Sequence, residues 1–436
     1  MTNKKLDLIE KKLKSKKIEE YEIFLVERNI FETQLRKTEI DSERDVNDFE
    51  YIIRILNQNE DSTGIGLVKG NSLSESNLDR SIDTCTKLSK LNLGPKYVFP
   101  EVTSYPNIKV AEDDILKDPV SIKKNKINTL ISATAKLKET KLTFGRFRVH
   151  VHKQFLRNCK ELDLNSIKTF FYMEFALKAK ENDKLSEFWD VDYIKSQSDL
   201  KLKDRVQKWS KFAIDALHAK KPDSKKNAAV IFSPNLLSDA LNPVLGFHCS
   251  GQAHFEKTSS IEIGKAIAGD QISLFDDGLL EGGLKSDNWD GEGNPHQKTP
   301  LIEDGIFKNR IYDQKYALLE EKKSTGNGIR TDNGSINNTI TNFYIPPGNN
   351  NLEDIIHDLK EGYLIQKCSW LNPDNYSGSF GAEIRYGYYI KDGEIKLPIK
   401  GGNLSGNVLA MLQNIIAVSQ EQEFSGNSLF PYIAFK

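Results

Sequence analysis

Lys220-Lys-Pro-Asp-Ser-Lys-Lys226 is the stretch on which the architecture turns. It is charged, holds a proline and contains no apolar residue, so nothing in it can bury a face, and it predicts a domain boundary. A chain of 436 residues is longer than one typical domain. The expected division is residues 1–219, a linker at 220–227, and residues 228–436.

Upstream of the boundary, Leu6, Ile9 and Leu13 recur at helical spacing and predict a helix over 5–16, followed by a β-rich run at 21–27. Two more strands are expected at 31–40 and 49–58. Gly64-Ile-Gly66-Leu-Val-Lys-Gly70 reads as the turn that closes them; it lacks the third glycine and the following helix of a dinucleotide fingerprint. A helix from Ser76 carries Leu78, Ile82, Cys85 and Leu88 on one face, and a third is expected over 120–139. The period then changes to two. Phe147, Val149 and Val151 predict a strand whose partner is 168–179, with His150 and His152 on its other face. Residues 209–219 read as helix, completing an α/β N-terminal domain.

Downstream, a strand at 228–232 leads to a helix at 235–245. From Ile261 the chain reads as short strands with glycine-rich turns, broken by helices at 352–360 and 407–419. This pattern predicts a largely antiparallel β-rich C-terminal domain and an α+β protein overall.

Composition excludes several classes of function. Lys and Arg number 61 against 62 Asp and Glu, so no global field favours nucleic acid or an anionic membrane surface. The four cysteines, at 85, 159, 249 and 368, show no C-x-x-C spacing and suit free thiols in a reducing compartment. No apolar run approaches the ~18 residues of a membrane span, and the N-terminal helix lacks a signal core. The expectation is a cytoplasmic protein.

The densest chemistry lies in Phe247-His-Cys-Ser-Gly-Gln-Ala-His254. A zinc hydrolase helix places a glutamate directly after its first histidine, as general base on a metal-bound water. Here Cys249 follows His248, and no His-Glu dipeptide exists in the chain. On a regular helix His248 and His254 lie roughly 120° apart, so they share a metal only if the helix breaks near Gly251. His248, Cys249 and His254 are the candidate metal ligands; two histidines hydrogen-bonded in a turn is the other reading. Asp276, Asp277, Asp287, Asp290 and Glu292 sit among glycines but miss the calcium-loop register, and read as turn caps. Ser324-Thr-Gly-Asn-Gly-Ile-Arg330 could hold a peptide or an anion, or be a glycine-rich hairpin. No G-x-S-x-G elbow is present.

An ordered series of blocks adds a resemblance. Val230-Ile-Phe-Ser-Pro234, Ser259-Ser-Ile-Glu-Ile-Gly264, Ile272-Ser-Leu-Phe-Asp-Asp277, Trp289-Asp-Gly-Glu-Gly293, Leu301-Ile-Glu-Asp-Gly305, Ser324-Thr-Gly-Asn-Gly328, Thr341-Asn-Phe-Tyr-Ile345, Tyr376-Ser-Gly-Ser-Phe380 and Ser405-Gly-Asn407 occur in that order. Together they resemble the TldD/PmbA metalloprotease family. The resemblance implies an α/β domain followed by a β-rich one, in dimers that enclose a peptide and a metal site. The TldD branch carries His-Glu-x-x-x-His and a cysteine near its C-terminus. The corresponding stretch here, His248 to His254, is one residue longer between histidines and lacks the glutamate, and no cysteine follows Ser405.

This chain is therefore similar to the PmbA branch, also called TldE, which lacks a working motif and pairs with TldD. What the resemblance implies is a non-catalytic subunit of a cytoplasmic metalloprotease of unfolded peptides. Its partner is a TldD-like catalytic subunit in a heterodimer, or a second copy in a homodimer, with any zinc at the dimer or in the partner. Cys249 and His254 keep the family's histidine spacing, so a self-sufficient metallopeptidase with a rearranged His/Cys site stays open, as does a non-enzymatic peptide-binding scaffold. By analogy Asn327, Arg330 and Asn342 are expected to touch peptide, and replacing Arg330 is expected to leave the fold intact.

Overall fold

The computed structural model describes residues 3–223, 225 and 228–436, so residues 224, 226 and 227 of the expected linker lie outside the described residues. The chain opens with helix α1 (Lys4–Ser15), whose first turn is capped by the Asn3 side chain accepting from the Lys5 amide at 2.9 Å. Two long strands follow where the periodicity predicts three short ones: β1 (Tyr21–Arg36) and β2 (Glu39–Gln58). They form one hairpin whose turn takes Lys37 at φ +59°. The outer part of β2 is polar and exposed, so no apolar alternation marks it as strand.

β3 (Thr63–Gly70) is a strand, not the expected turn. Its glycines serve close packing. A Cβ on Gly66 would lie 1.9 Å from the Cys85 carbonyl oxygen, and one on Gly64 would lie 1.7 Å from that of Ser89, both in helix α2 (Glu75–Leu91). Leu78, Ile82 and Cys85 of α2 join Leu6, Ile9 and Leu13 of α1 in covering Tyr21, Ile23 and Leu25 of β1. β4 (Leu93–Gly94), helices α3 (Asp113–Lys117) and α4 (Pro119–Ala135), strands β5 (Thr140–Asn158), β6 (Asp163–Glu181) and β7 (Lys184–Ile194), and helix α5 (Leu202–His218) complete this half. The sheet runs β4-β3-β2-β1-β5-β6-β7 with every neighbouring pair antiparallel, which leaves β7 at an edge.

The other half begins with β8 (Val230–Phe232), α6 (Pro234–His248) and α7 (Gly251–Phe255), then β9 (Leu274–Asp277), β10 (Lys298–Glu303), β11 (Ile306–Phe307) and α8 (Gln314–Leu319). A small hairpin of β12 (Gly328–Arg330) and β13 (Ile336–Asn338) stands apart, followed by β14 (Phe343–Tyr344) and α9 (Leu352–Leu359). β15 (Glu361–Ser369), β16 (Ser379–Lys391), β17 (Glu394–Ile399), β18 (Asn403–Asn407), α10 (Val408–Leu412), β19 (Ile415–Ser425) and β20 (Ser428–Phe435) close the chain. The large sheet runs β11-β10-β9-β14-β20-β8-β15-β16-β17, with β18 on β16 and β19 on β20. It is antiparallel except at β14·β20 and β15·β8. The helix expected at 407–419 is thus only one turn long. Beyond it, Ile415, Ala417 and Val418 pair with Phe435, Ala434 and Ile433 of β20, and this sheet pairing overrides the local helical pattern.

Mixed α+β architecture is therefore what the chain adopts. The core does not stop between the two sheets. Trp209 and Phe212 of α5 share a buried cluster with Tyr386, Tyr388 and Ile390 of β16, and Phe24 and Val26, on the face of β1 away from the helices, share another with Trp289. Among the described residues no helix is long and apolar enough to cross a membrane. Gly66→Ala should lower the stability of the chain by about 3 kcal/mol, because the methyl group meets backbone that cannot step aside. Urea unfolding measures it, and an unchanged midpoint would refute this account of β3.

Candidate functional site

Helix α6 is buried over most of its surface, with Leu236, Leu237, Ala240, Leu241, Val244 and Leu245 in the core, which explains its largely apolar sequence. It starts at the Ser233 cap, whose hydroxyl accepts from the Leu236 amide at 3.3 Å, and ends at His248. Ser250 then caps α7 by accepting from the Ala253 amide at 3.0 Å. The helix does break between the two histidines, yet it does not bring them to a common partner. His248 is buried; its Nδ1 accepts from the Ser260 amide at 3.1 Å, so its Nε2 carries the proton and donates to the Tyr376 carbonyl at 3.1 Å. Burial, opposed by that hydrogen bond, lowers its pKa and keeps it neutral. Cys249 lies in the apolar core, where burial pushes its thiol up to about 12. His254 is exposed and its Nδ1 faces Glu320 Oε1 at 2.7 Å.

A zinc ligand set needs free imidazole lone pairs and a thiolate that point to one spot. His248 has no lone pair left, Cys249 keeps its proton, and His254 faces elsewhere. Among the described residues no three His, Cys, Asp or Glu side chains gather as ligands for a metal ion. The three candidate residues do not fit a zinc centre in this chain.

The residues expected to touch peptide are also committed internally. Asn327 is fully buried and donates to Asp276 Oδ2 at 2.6 Å and to the Thr339 carbonyl at 3.1 Å. Asn342, equally buried, donates to the Asp277 carbonyl and to Ser286, and its oxygen accepts from the Lys285 amide at 2.9 Å. Arg330 donates to Glu22 Oε1 at 2.7 Å and to the Gly291 and Gly334 carbonyls, and lies over the Phe24 ring at 4.5 Å. Its partner is in β1, so Arg330 ties the two halves together and its loss would not leave the fold untouched.

Glu22 follows from the alternation of β1: it shares a face with Phe24 and Val26, away from α1 and α2. Arg54, its register partner on β2, holds it with two hydrogen bonds of 2.8 and 2.7 Å, and also donates to Tyr97. Burial would raise the Glu22 carboxyl, but Arg54 and Arg330 outweigh it and keep the pKa below its ordinary value. Tyr97 donates to Glu292 at 2.7 Å. Beside it Asp290 accepts from the amides of Glu292, Asn294 and Gly328, each at 2.9 Å. Burial and the neighbouring Glu292 push Asp290 up to about 8 and Asp313 up to about 7. Of the glycine-flanked acids, Asp277, Asp287 and Asp290 accept from amides of their own turns, as expected, whereas Asp276 and Glu292 bond to distant residues.

An open recess lies elsewhere on α6. A cleft of about 750 Å³ is lined by Asp190 and Asp192 from β7, Lys195 just past its end, Arg205 from α5, and Ser238 and Asp239 from α6. Asp192 is held by Arg205 at 3.1 Å, and Asp190 by Lys367 at 2.6 Å. Burial pushes Asp192 up to about 6, with Asp190 adding repulsion against the Arg205 attraction. Asp239, recessed but open to solvent, is pushed up to about 6 by burial and then by Asp190. Pro243, inside α6, has no N–H to offer the Asp239 carbonyl. Among the described residues β7 pairs with β6 alone, so its other side carries no strand. The cleft thus offers carboxylates that exchange protons near pH 6, ammonium and guanidinium groups, and strand-edge hydrogen-bonding groups. Sequence reasoning missed these residues. The available signals were the alternation of Trp189, Val191 and Tyr193 with Asp190 and Asp192, and a lone acid, Asp239, on an apolar helix.

This geometry sits in a chain with recognised relatives. Residues 225–436 match the model of the PmbA/TldA metallopeptidase C-terminal domain, which places that half among metallopeptidase-like proteins. In this half the chain is similar to the TldD/PmbA family. An uncharacterized protein of Methanocaldococcus jannaschii is 34% identical over 209 residues, covering 48% of this chain and 49% of that protein. A metalloprotease TldD homolog of Buchnera aphidicola is 32% identical over 241 residues, covering 53% and 49%. The chain thus spans about half the length of the curated relatives it matches. The crystal structure of TldE from Thermococcus kodakarensis shares the fold, with a TM-score of 0.86 at 24% identity over 98% of both chains.

Arg330→Ala should cost about 3 kcal/mol in urea unfolding, as expected for breaking a buried ion pair. An unchanged midpoint would return Arg330 to the pool of free binding residues. Asp290 keeps its proton when folded and loses it when unfolded between about pH 4 and about pH 8. The folded state binds more protons in that window, so this group's contribution to stability falls as pH rises through it. Asp290→Asn should flatten the decline in stability between pH 5 and pH 8, and a slope identical to that of the parent chain would contradict it.

Proposed function

We propose that the chain is a PmbA/TldE-like subunit of a cytoplasmic TldD/PmbA metalloprotease, non-catalytic itself, which holds unfolded peptide for a TldD-like catalytic partner. The observation that carries this reading is the hydrogen bonding of His248: both ring nitrogens are used within the chain, on Ser260 and Tyr376. With no glutamate beside His248 and with Cys249 in the core, the stretch lacks the general base, and among the described residues no three side chains gather there as ligands, which supports this reading. Any zinc of the assembly then belongs to the partner.

Peptide holding is supported by the cleft and by the strand beside it. An extended peptide can add to the free edge of β7 through main-chain hydrogen bonds, a mode indifferent to side-chain sequence and suited to unfolded substrates. The charged lining can then bias which peptide side chains sit in the recess.

The test compares the purified chain with the chain co-expressed with a family member that carries His-Glu-x-x-x-His. Metal analysis should find no stoichiometric zinc on the chain alone, and an unfolded peptide should be cleaved only by the pair. One zinc per chain with peptide cleavage by the chain alone, lost in His254→Ala, would establish the self-sufficient metallopeptidase instead. Absence of any complex and of any cleavage, with peptide still bound, would leave a non-enzymatic scaffold.

A further inference from the structure

The side of β7 that carries no strand is closed at its middle by two side chains. Lys367 of β15 donates to the Trp189 carbonyl at 3.0 Å and to Asp190 Oδ1 at 2.6 Å. The same Asp190 oxygen accepts from the Val191 amide at 3.0 Å. The ammonium lies 5.5 Å from the centre of the Phe188 ring and 5.2 Å from the Trp189 ring. Those two side chains take opposite faces of the sheet, Phe188 in the cluster with Trp209 of α5 and Trp189 exposed. The ammonium therefore stands at the strand edge and over neither face. Main-chain direction alternates along a strand as well, which aims the Trp189 carbonyl and the Val191 amide the same way.

The pair imitates a strand. In a parallel ladder one residue donates to the carbonyl before its partner and accepts from the amide after it. Lys367 and Asp190 supply that donor and that acceptor around position 190. A neighbouring strand would run about 4.8 Å from β7, and an ammonium 3.0 Å from the Trp189 oxygen stands in its path.

The backbone places Lys367 for this contact. The register of β15 against β16 slips on both sides of it, from Ile365 opposite Gly387 to Lys367 opposite Tyr386 and Cys368 opposite Ile384. Such bulges re-aim a side chain, and this one crosses to the other half of the molecule. The Lys367 side chain is 22% exposed and that of Asp190 19%, and both line the cleft, so the contact can open without dismantling the core. Along the same strand Trp189, Val191 and Tyr193 leave apolar surface exposed, which alternate side chains of an added strand would cover.

We propose that Lys367 and Asp190 form a latch on the edge of β7, and that an extended peptide binds there by taking the Trp189 carbonyl and the Val191 amide from them. This rests on the reading of the chain as a peptide holder and adds an internal competitor for the same main-chain groups. Because the competitor is a partly exposed ion pair, salt weakens it.

Fluorescence anisotropy of the full chain tests the latch, with an acetylated and amidated peptide of alternating threonine and valine that bears an uncharged fluorophore. Lys367→Met should bind this peptide about fivefold more tightly than the parent chain, the gain expected from removing one partly exposed ion pair. Lys367→Arg, which keeps the charge, should bind as the parent does. Salt at about 0.5 M should tighten binding to the parent and leave Lys367→Met unchanged. The same peptide N-methylated at every residue has no amide to donate and should not bind. Equal affinity of the parent and a Lys367→Met chain of unchanged melting temperature overturns the latch and leaves peptide holding in place. If the substitution lowers the melting temperature, the salt series decides, and a parent affinity that does not rise overturns the latch. Absence of binding to every chain at every salt concentration overturns peptide holding as well. Binding of the N-methylated peptide as tightly as the parent peptide removes edge pairing, and the latch with it.

Discussion

One buried carboxylate stands at the centre of the seam between the two halves of the molecule. Glu22 sits with no exposed surface between Arg54 of its own sheet and Arg330 of the small β12–β13 hairpin. A buried charge costs several kcal/mol unless it is matched and hydrogen-bonded, so Glu22 and Arg330 specify each other's position. The apolar contact of Phe24 with Trp289 and the Tyr97–Glu292 hydrogen bond then form around them. The acidic loop that approaches β1 lies within this frame, and in it Asp290 keeps its proton.

That frame reassigns the chemistry of α6. The end of the helix that carries His248 is locked into the fold by Ser260, Tyr376 and Arg310, which donates to the His248 carbonyl at 2.9 Å. Its opening turns, with Ser238 and Asp239, face the open recess. Asn242, one turn on, links Ser238 to Ser428 of β20, which fixes the wall of the cleft on the central strands.

Local pattern gave much of the fold and little of the site. The helical spacing of Leu6, Ile9 and Leu13, the α2 face of Leu78, Ile82 and Cys85, and the alternation through Phe147, Val149 and Val151 each lead to the observed element, because each reports burial of its own neighbours. The failures have long-range causes. Gly64 and Gly66 look like a turn until α2 is laid against them, and residues 415–419 look helical until β20 pairs with them. Asn327, Arg330 and Asn342 look free because their partners Asp276, Glu22 and Asp277 are distant in sequence. A polar residue among glycines has the same local appearance whether it binds a ligand or the chain itself.

The seam also bears on how the protein reaches its fold. Glu22 and Arg330 are separated by 308 positions, so the contact that completes the outer face of β1 is among the most non-local in the molecule. Such contacts bear the full entropy of loop closure before they contribute anything, and they slow folding. During synthesis Phe24, Val26 and Ile52 emerge hundreds of residues before Trp289 and Arg330 can cover them. The nascent N-terminal sheet therefore exposes an apolar face around an unpaired carboxylate, a species open to chaperone capture or aggregation until the second half closes over it.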